Sequence, residues 1–222
     1  MQREDWDKRY AAVENLWAVK PNRFLVAEVA GLTTGRALDL ACGEGQNAIW
    51  LASLGWDVLG VDYSEVAISK GRARAERDGL DVELVCADLV SYEPEVSAFD
   101  LVLVLYLHIP AHERRGVLGR AAAALAPGGT FVFVGHDLTN LTDGVGGPSD
   151  PGILCTPDEI ASELPGLEIE KAERVLRDVR GEEREAIDAL VRARRPLPSR
   201  ARPGTARAPT PHRAARDDSR GR

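Results

Sequence analysis

The stretch "ALDLACGEGQNAIWL", residues 37–51, decides the fold. A largely apolar run leads into Gly43 and Gly45, and an apolar, helix-like continuation follows. This reads as a strand, a tight glycine turn and a helix, an arrangement that holds nucleotide cofactors. Gly43-Glu44-Gly45-Gln46-Asn47-Ala48 fits the pattern GxGxxG/A, with Ala48 in the third place. The glycines alone do not say which cofactor.

Outward from this turn the same unit repeats. "RALDLAC" is a strand and residues 45–54 a helix closed by Gly55. "DVLGVDY" is the second strand, and Ser64 is placed to cap a helix running to Asp78, with Gly79 as its left-handed stop. "VELVCAD" and "FDLVLVLYL" are the third and fourth strands. Residues 110–126 form a helix that begins at Pro110 and is ended by "APGG", and "TFVFVGHD" is the fifth strand. The central strands are nearly continuous apolar runs, as expected for parallel strands buried on both faces. Their alternation with helices predicts a doubly wound, mostly parallel α/β sheet.

The flanks differ. Residues 3–18 read as one helix, with Trp6/Tyr10 and Val13/Trp17 at i, i+4 spacing. "KPNRF" interrupts it, and Pro21 can start a second helix ending near Gly31. Residues 1–31 are therefore expected to form a helical unit ahead of the domain at 32–196. "LTNLTDGVGGPSDPG" reads as a loop of a length that is usually functional or disordered. A short helix from Asp158 and two strands, "LEIEKAERVLRDV" and "REAIDALVRARR" around "RGEE", form an antiparallel hairpin at the sheet edge. Residues 197–222 are rich in Arg, Ala and Pro without an aromatic, and are expected to be disordered.

The chain has 222 residues, 44% hydrophobic and 28% charged, an ordinary composition for a globular domain with an appendage. The net charge of −7 is uneven. The tail carries seven Arg against two Asp, or +5, which leaves −12 for the body. An acidic body is a poor nucleic-acid surface. The basic tail could touch nucleic acid or an anionic membrane, but a simple extension is the plainer reading. No apolar run has membrane-spanning length and the charged start lacks a signal-peptide core. Cys42, Cys86 and Cys155 have no CxxC or zinc spacing. A cytoplasmic protein with reduced thiols, no metal and no membrane partner is expected, as a monomer or homodimer.

Three carboxylates bear on the cofactor. Asp62 ends the second strand, 17 positions after Gly45, where it can accept hydrogen bonds from ribose hydroxyls. This alone leaves NAD and S-adenosylmethionine both open. Asp39 lies four residues before Gly43, where it would repel a pyrophosphate but suits the ammonium of S-adenosylmethionine. Asp88 follows the third strand, where it can accept from an adenine amino group or simply cap the next turn. Two rival readings remain: an NAD-dependent reductase, which Asp39 and the absence of a Tyr-x-x-x-Lys pair oppose, and a non-catalytic S-adenosylmethionine-binding protein.

With "DLACGEG", "GVDYS", "CADL" and "LAPGG" in this order, the chain resembles the class I S-adenosylmethionine-dependent methyltransferases over roughly residues 5–195. "WDKRYAA…W…PNRFL" with "GEGQNAIWLA" further resembles the small bacterial tellurite-resistance and thiopurine methyltransferase type, with Gln46 where those relatives often carry Arg. The resemblance implies a seven-stranded sheet with one antiparallel strand. It also implies that Asp39, Ala41 and Gly43 hold the methionine moiety and that Gly45 lets the backbone approach the cofactor. Asp62 would bind the ribose, Tyr63 would lie beside the adenine, and Asp88 and Leu89 would contact its edge. Leu105 and Tyr106 would sit under the sulfonium, and Trp6, Tyr10 and Trp17 on an N-terminal lid would approach the cofactor, unless they only pack the helix down. For a small-molecule acceptor with an S, Se/Te, O or N nucleophile, the candidate acid/base residues are Tyr106, His108, His136 and Asp137. His136 is favoured, with Tyr106 second, and the loop 138–152 is expected to cover the acceptor.

Overall fold

The computed structural model describes residues 2–16 and 19–198. Trp17 and the tail beyond residue 198 lie outside the described residues.

Seven strands form one sheet: β1 (Arg36–Leu40), β2 (Asp57–Asp62), β3 (Glu83–Cys86), β4 (Phe99–Leu105), β5 (Leu125–His136), β6 (Glu168–Arg177) and β7 (Ala186–Arg194). Their spatial order is β3-β2-β1-β4-β5-β7-β6. The pairs among β1 to β5 are parallel, whereas β7 lies antiparallel between β5 and β6. The chain leaves β1 in opposite directions toward β2 and β4, which opens a crevice at the carboxyl ends of these strands.

Strand alternation divides the core into two layers. Leu38, Leu40, Val102, Val104, Phe131 and Phe133 enter one, packed with Val117, Leu118 and Ala121 of α5 (Ala111–Ala124). Ala37, Leu101, Leu103, Leu105, Val132 and Val134 enter the other. There they meet Leu25 of α2 (Arg23–Val29), and Ala48 and Leu51 of α3 (Gln46–Ser53). The apolar runs are continuous because both faces of the sheet are covered. The fourth parallel-layer helix, α4 (Glu65–Arg77), is capped by Ser64 Oγ, which accepts from the Ala67 N–H at 3.2 Å.

The N-terminal segment departs from the single helix expected over 3–18. α1 (Arg3–Ala11) ends early. Lys70 on α4 draws the carbonyls of Tyr10 and Val13 to 2.5 Å each and that of Glu14 to 3.1 Å, and Glu44 accepts the Leu16 N–H at 2.9 Å. These partners replace the helical ladder beyond Ala12. α2 likewise starts not at Pro21 but after Asn22, whose side chain accepts from the Phe24 and Leu25 N–H groups.

The Gly-rich loop contains a helical turn, α6 (Asn140–Asp143), and a 3-10 turn at Pro151–Ile153. α7 (Pro157–Ser162) follows. It is fastened to α5 by Arg114, 1% exposed, which reaches Glu159 at 2.5 Å and Glu163 at 3.3 Å.

Candidate active site

The carboxyl ends of the first five strands converge on one cavity of about 1010 Å³. Ala41, Cys42 and Gly43 follow β1, and Asp62 and Tyr63 close β2. Asp88 and Leu89 follow β3, residues 105–109 leave β4, and His136 ends β5. Trp6 and Tyr10 from α1 lie across the opening, and residues 147–150 and Arg177 close the far side.

Left-handed backbone marks the turns that shape this cavity. Gly43 (φ 55) and Gly45 (φ 72) take it readily, and Gly45 caps α3. Ala41 (φ 65) and Tyr106 (φ 54) take it at a cost of order 1–3 kcal/mol each. Both line the cavity at the ends of adjacent strands, where strain of this kind marks functional sites.

At the β1–β3 end, Asp62 accepts the Gly43 N–H at 2.9 Å and the Ser64 N–H at 3.0 Å, which locks the two turns together. Burial still raises its carboxyl above the usual range, against the pull of those N–H groups. Asp39 is fully buried, and neither carboxylate oxygen has a hydrogen-bond partner. The alternation of β1 turns it toward the layer of α3, behind Ala41–Gly43, so it does not itself line the cavity. Burial and the neighbouring Asp62 charge push its carboxyl up to about 8. The Ala48 N–H opposes that rise, but lies outside hydrogen-bond geometry. Gly45 also stays out of the lining: a side chain there would meet Leu84 at 3.4 Å. Asp88 lines the cavity and also accepts the Val90 N–H at 2.9 Å, so it caps its own turn.

α1 is tied to the same turns. Arg3 Nε donates to the Tyr63 carbonyl at 2.5 Å, Ser64 Oγ donates to Asp7 at 2.5 Å, and Lys70 bridges to Glu44 at 3.3 Å. Trp6 and Tyr10 are buried beneath it, with ring centroids 6.0 Å apart.

The β4–β5 end is a ring cluster. Trp6 stacks on His108 at 5.9 Å, His108 on His136 at 5.4 Å, and Tyr106 lies 4.9 Å from His136. Burial and the neighbouring His136 charge lower His108 to about 4, so it is neutral at physiological pH. Asp188 on β7 lies directly opposite His136 in the register. Its Oδ1 is 3.2 Å from His136 Nδ1. Its Oδ2 accepts from Tyr106 OH at 2.8 Å and Arg177 Nε at 2.7 Å. Burial acts to raise the Asp188 carboxyl, but these donors outweigh it and hold the group ionised below its usual range. Burial and the adjacent carboxylate raise the Tyr106 phenol, which keeps it a hydrogen-bond donor.

Asp137, one residue past His136, faces away. Its Oδ1 accepts from Thr139 N and Oγ1 and pairs with Arg174 at 2.9 Å, which fastens the loop, and Asp137 is not among the residues that line the cavity. Asp188 and Arg177 escaped the reading of the sequence. The trace they left there was a lone acid inside the apolar run "AIDALV".

Residues 37–129 match the family model described as a methyltransferase domain. The doubly wound sheet and this match together mark residues 37–129 as similar to a methyltransferase domain. The chain is 29% identical over 133 residues to a ubiquinone biosynthesis O-methyltransferase of Coxiella burnetii, which covers 59% of this chain and 56% of that protein. It superposes with a TM-score of 0.71 and 26% identity on a structure described as "Conversion of a Disulfide Bond into a Thioacetal Group during Echinomycin Biosynthesis", covering 89% of this chain and 94% of that one. TehB from Haemophilus influenzae shares the fold at a TM-score of 0.67 and 18% identity, covering 87% and 67%. The chain spans 32–56% of the length of the curated relatives it matches. Among the described residues no helix is long and apolar enough to cross a membrane.

Proposed function

We propose that the protein is a cytoplasmic enzyme that transfers a methyl group from S-adenosylmethionine to a small-molecule acceptor. The observation that carries this reading is Asp39, a fully buried carboxylate with no hydrogen-bond partner beneath the glycine turn. Burial and Asp62 hold this carboxyl protonated up to about pH 8, and a cation brought to that turn favours its ionised form, so binding a cation and ionising Asp39 support each other. A pyrophosphate there would oppose that ionisation and crowd Asp62, so the acidic groups fit S-adenosylmethionine and not a dinucleotide.

In this reading the Ala41–Gly43 backbone receives the methionine end, with the Asp39 charge behind it. Asp62 has lone pairs left for ribose hydroxyls, and Tyr63, Asp88 and Leu89 line the adenine end. Leu105 and Tyr106 stand where β4 meets the reacting centre. The bound cofactor supplies an activated methyl on a sulfonium, and the protein supplies approach, orientation and a dry site. α1 acts as the lid: Trp6 and Tyr10 close the cavity, and an aromatic face stabilises a cation nearby. His136 lies across the cavity from the cofactor residues and takes up the acceptor's proton where there is one to lose.

Calorimetric titration with S-adenosylmethionine and with NAD tests the reading. Binding of the first alone is expected, and binding of NAD alone would falsify it. Release of S-adenosylhomocysteine with a panel of small acceptors separates an enzyme from a protein that only binds the cofactor.

A further inference from the structure

The notional acceptor end of the cavity contains a buried charge system that cofactor binding does not require. Asp188 is fully buried. Groups from three different elements converge on it: Tyr106 after β4 and Arg177 on β6 donate to it, and His136 Nδ1 on β5 lies at ion-pair distance but outside hydrogen-bond geometry. The two carboxylate oxygens divide the work. Oδ2 is held by Arg177 Nε and Tyr106 OH, at 2.7 and 2.8 Å, while Oδ1 faces His136 Nδ1 at 3.2 Å and takes only a long bond from Arg177 Nη2, at 3.5 Å. With Nδ1 turned to a carboxylate, Nε2 is the nitrogen that the cavity-lining ring offers to an acceptor. A carboxylate behind an imidazole fixes its tautomer and stabilises its protonated form. The second imidazole, His108, cannot compete for the proton: it is buried and stacked against a ring that becomes charged.

The walls add a shape. His108 stacks with Trp6 at 5.9 Å and with His136 at 5.4 Å, so a row of aromatic rings lines this end. Leu107, Ile109, Pro148 and Ile153 are the apolar neighbours at this end. Aromatic rings pack against one another offset-stacked or edge to face, so such a row suits a flat aromatic ring.

Accepting that the protein is a methyltransferase, we infer that its acceptor is a flat aromatic hydroxyl compound, a phenol or ring enol, deprotonated by His136 with Asp188 as the positioning residue. A thiol is already partly ionised near neutral pH and a soft oxyanion has no proton to lose, so neither needs this device; a phenol and a protonated amine both do, and Arg177 in the lining beside Asp188 repels the cationic amine. In the step, the hydroxyl O–H bond breaks and its proton goes to His136 Nε2. The freed oxygen pair forms the new C–O bond as the methyl leaves sulfur, whose bonding pair stays on it as a neutral thioether. The imidazolium is balanced by Asp188 until the proton returns to solvent.

The test uses the full chain and has two readouts. First, 4-nitrophenol is bound to the protein without cofactor and titrated by its phenolate absorbance. The wild type is expected to lower its apparent pKa by about one unit, and Asp188→Asn and His136→Gln are each expected to abolish the shift. Second, S-adenosylhomocysteine release is followed for phenols of graded acidity at pH 8. Asp188→Asn should lose about 100-fold in kcat on a weakly acidic phenol and less than about 5-fold on 4-nitrophenol, which is already ionised. A loss independent of phenol acidity, an unchanged absorbance shift in both variants, or turnover of thiols with none of phenols overturns the inference. Circular dichroism identifies a variant that has not folded, in which case His136→Gln alone decides. Failure of S-adenosylmethionine to bind the wild type would count against the methyltransferase reading, and the nitrophenol titration would still report on the His136–Asp188 pair.

Discussion

At the cofactor end of the cavity, each wall residue lies within a few positions of its own strand: Ala41–Gly43 after β1, Asp62 and Tyr63 at the end of β2, Asp88 and Leu89 after β3. At the acceptor end, Tyr106 meets a partner 82 residues away, and His136 meets the same Asp188 only because β7 runs antiparallel beside β5. The first end is built by local turns on parallel strands, and the second by the register of a C-terminal hairpin. Local turns tolerate damage elsewhere, whereas a site made by register fails when the hairpin or its supports shift.

The largest expected effect breaks the second end from behind. Arg114 is buried against Glu163 and Glu159 and braces α7. Arg114→Met leaves the buried Glu163 with only the exposed Arg115 at 3.6 Å and should cost about 3–5 kcal/mol in urea unfolding. His136→Ala should lower kcat by about 100-fold or more while changing cofactor affinity less than about 2-fold, measured by S-adenosylhomocysteine release and calorimetry.

The first end should respond to pH. The Asp39 carboxyl lies near 8 in the fold against 3.8 ordinarily. Its contribution to stability is therefore complete below about pH 4 and is lost as pH rises through about 8. The cofactor-free protein should melt roughly 5–10 °C lower at pH 8.5 than at pH 6, and Asp39→Asn should flatten that fall. S-adenosylmethionine should bind more tightly across the same window as the carboxylate forms. The smallest effect is expected at Asp88, which is exposed and already caps its own turn. Asp88→Ala should weaken cofactor binding by only about 2–5-fold.

The same contrast explains what could be read from the chain. Continuous apolar strands, glycine turns and carboxylates at strand ends are local features, so the doubly wound sheet and the residues after β1–β3 were legible in residues 37–89. The edge hairpin was legible too, because its alternation is local. What it joins was not: nothing in "AIDALV" says that Asp188 faces His136, since that depends on a register set by two strands 50 residues apart in the chain. The early end of α1 was hidden for a similar reason. Its helical periodicity runs on past Ala11, but Lys70 and Glu44, far along the chain, compete for the backbone groups that would have continued it. The spacing of Asp39 from Gly43 suggests a direct cofactor contact, and only the alternation of β1 in the folded sheet puts it one layer behind the wall.

The central claim is that cofactor recognition and acceptor chemistry are separable along one cavity. Calorimetric titration of S-adenosylmethionine into the wild type, Asp62→Ala and His136→Ala tests it most directly. Asp62→Ala frees the buried Gly43 and Ser64 N–H groups and removes the carboxylate, so binding should weaken by about 100-fold. His136→Ala should bind like the wild type. Equal weakening in the two variants, or wild-type affinity in Asp62→Ala, would contradict the account.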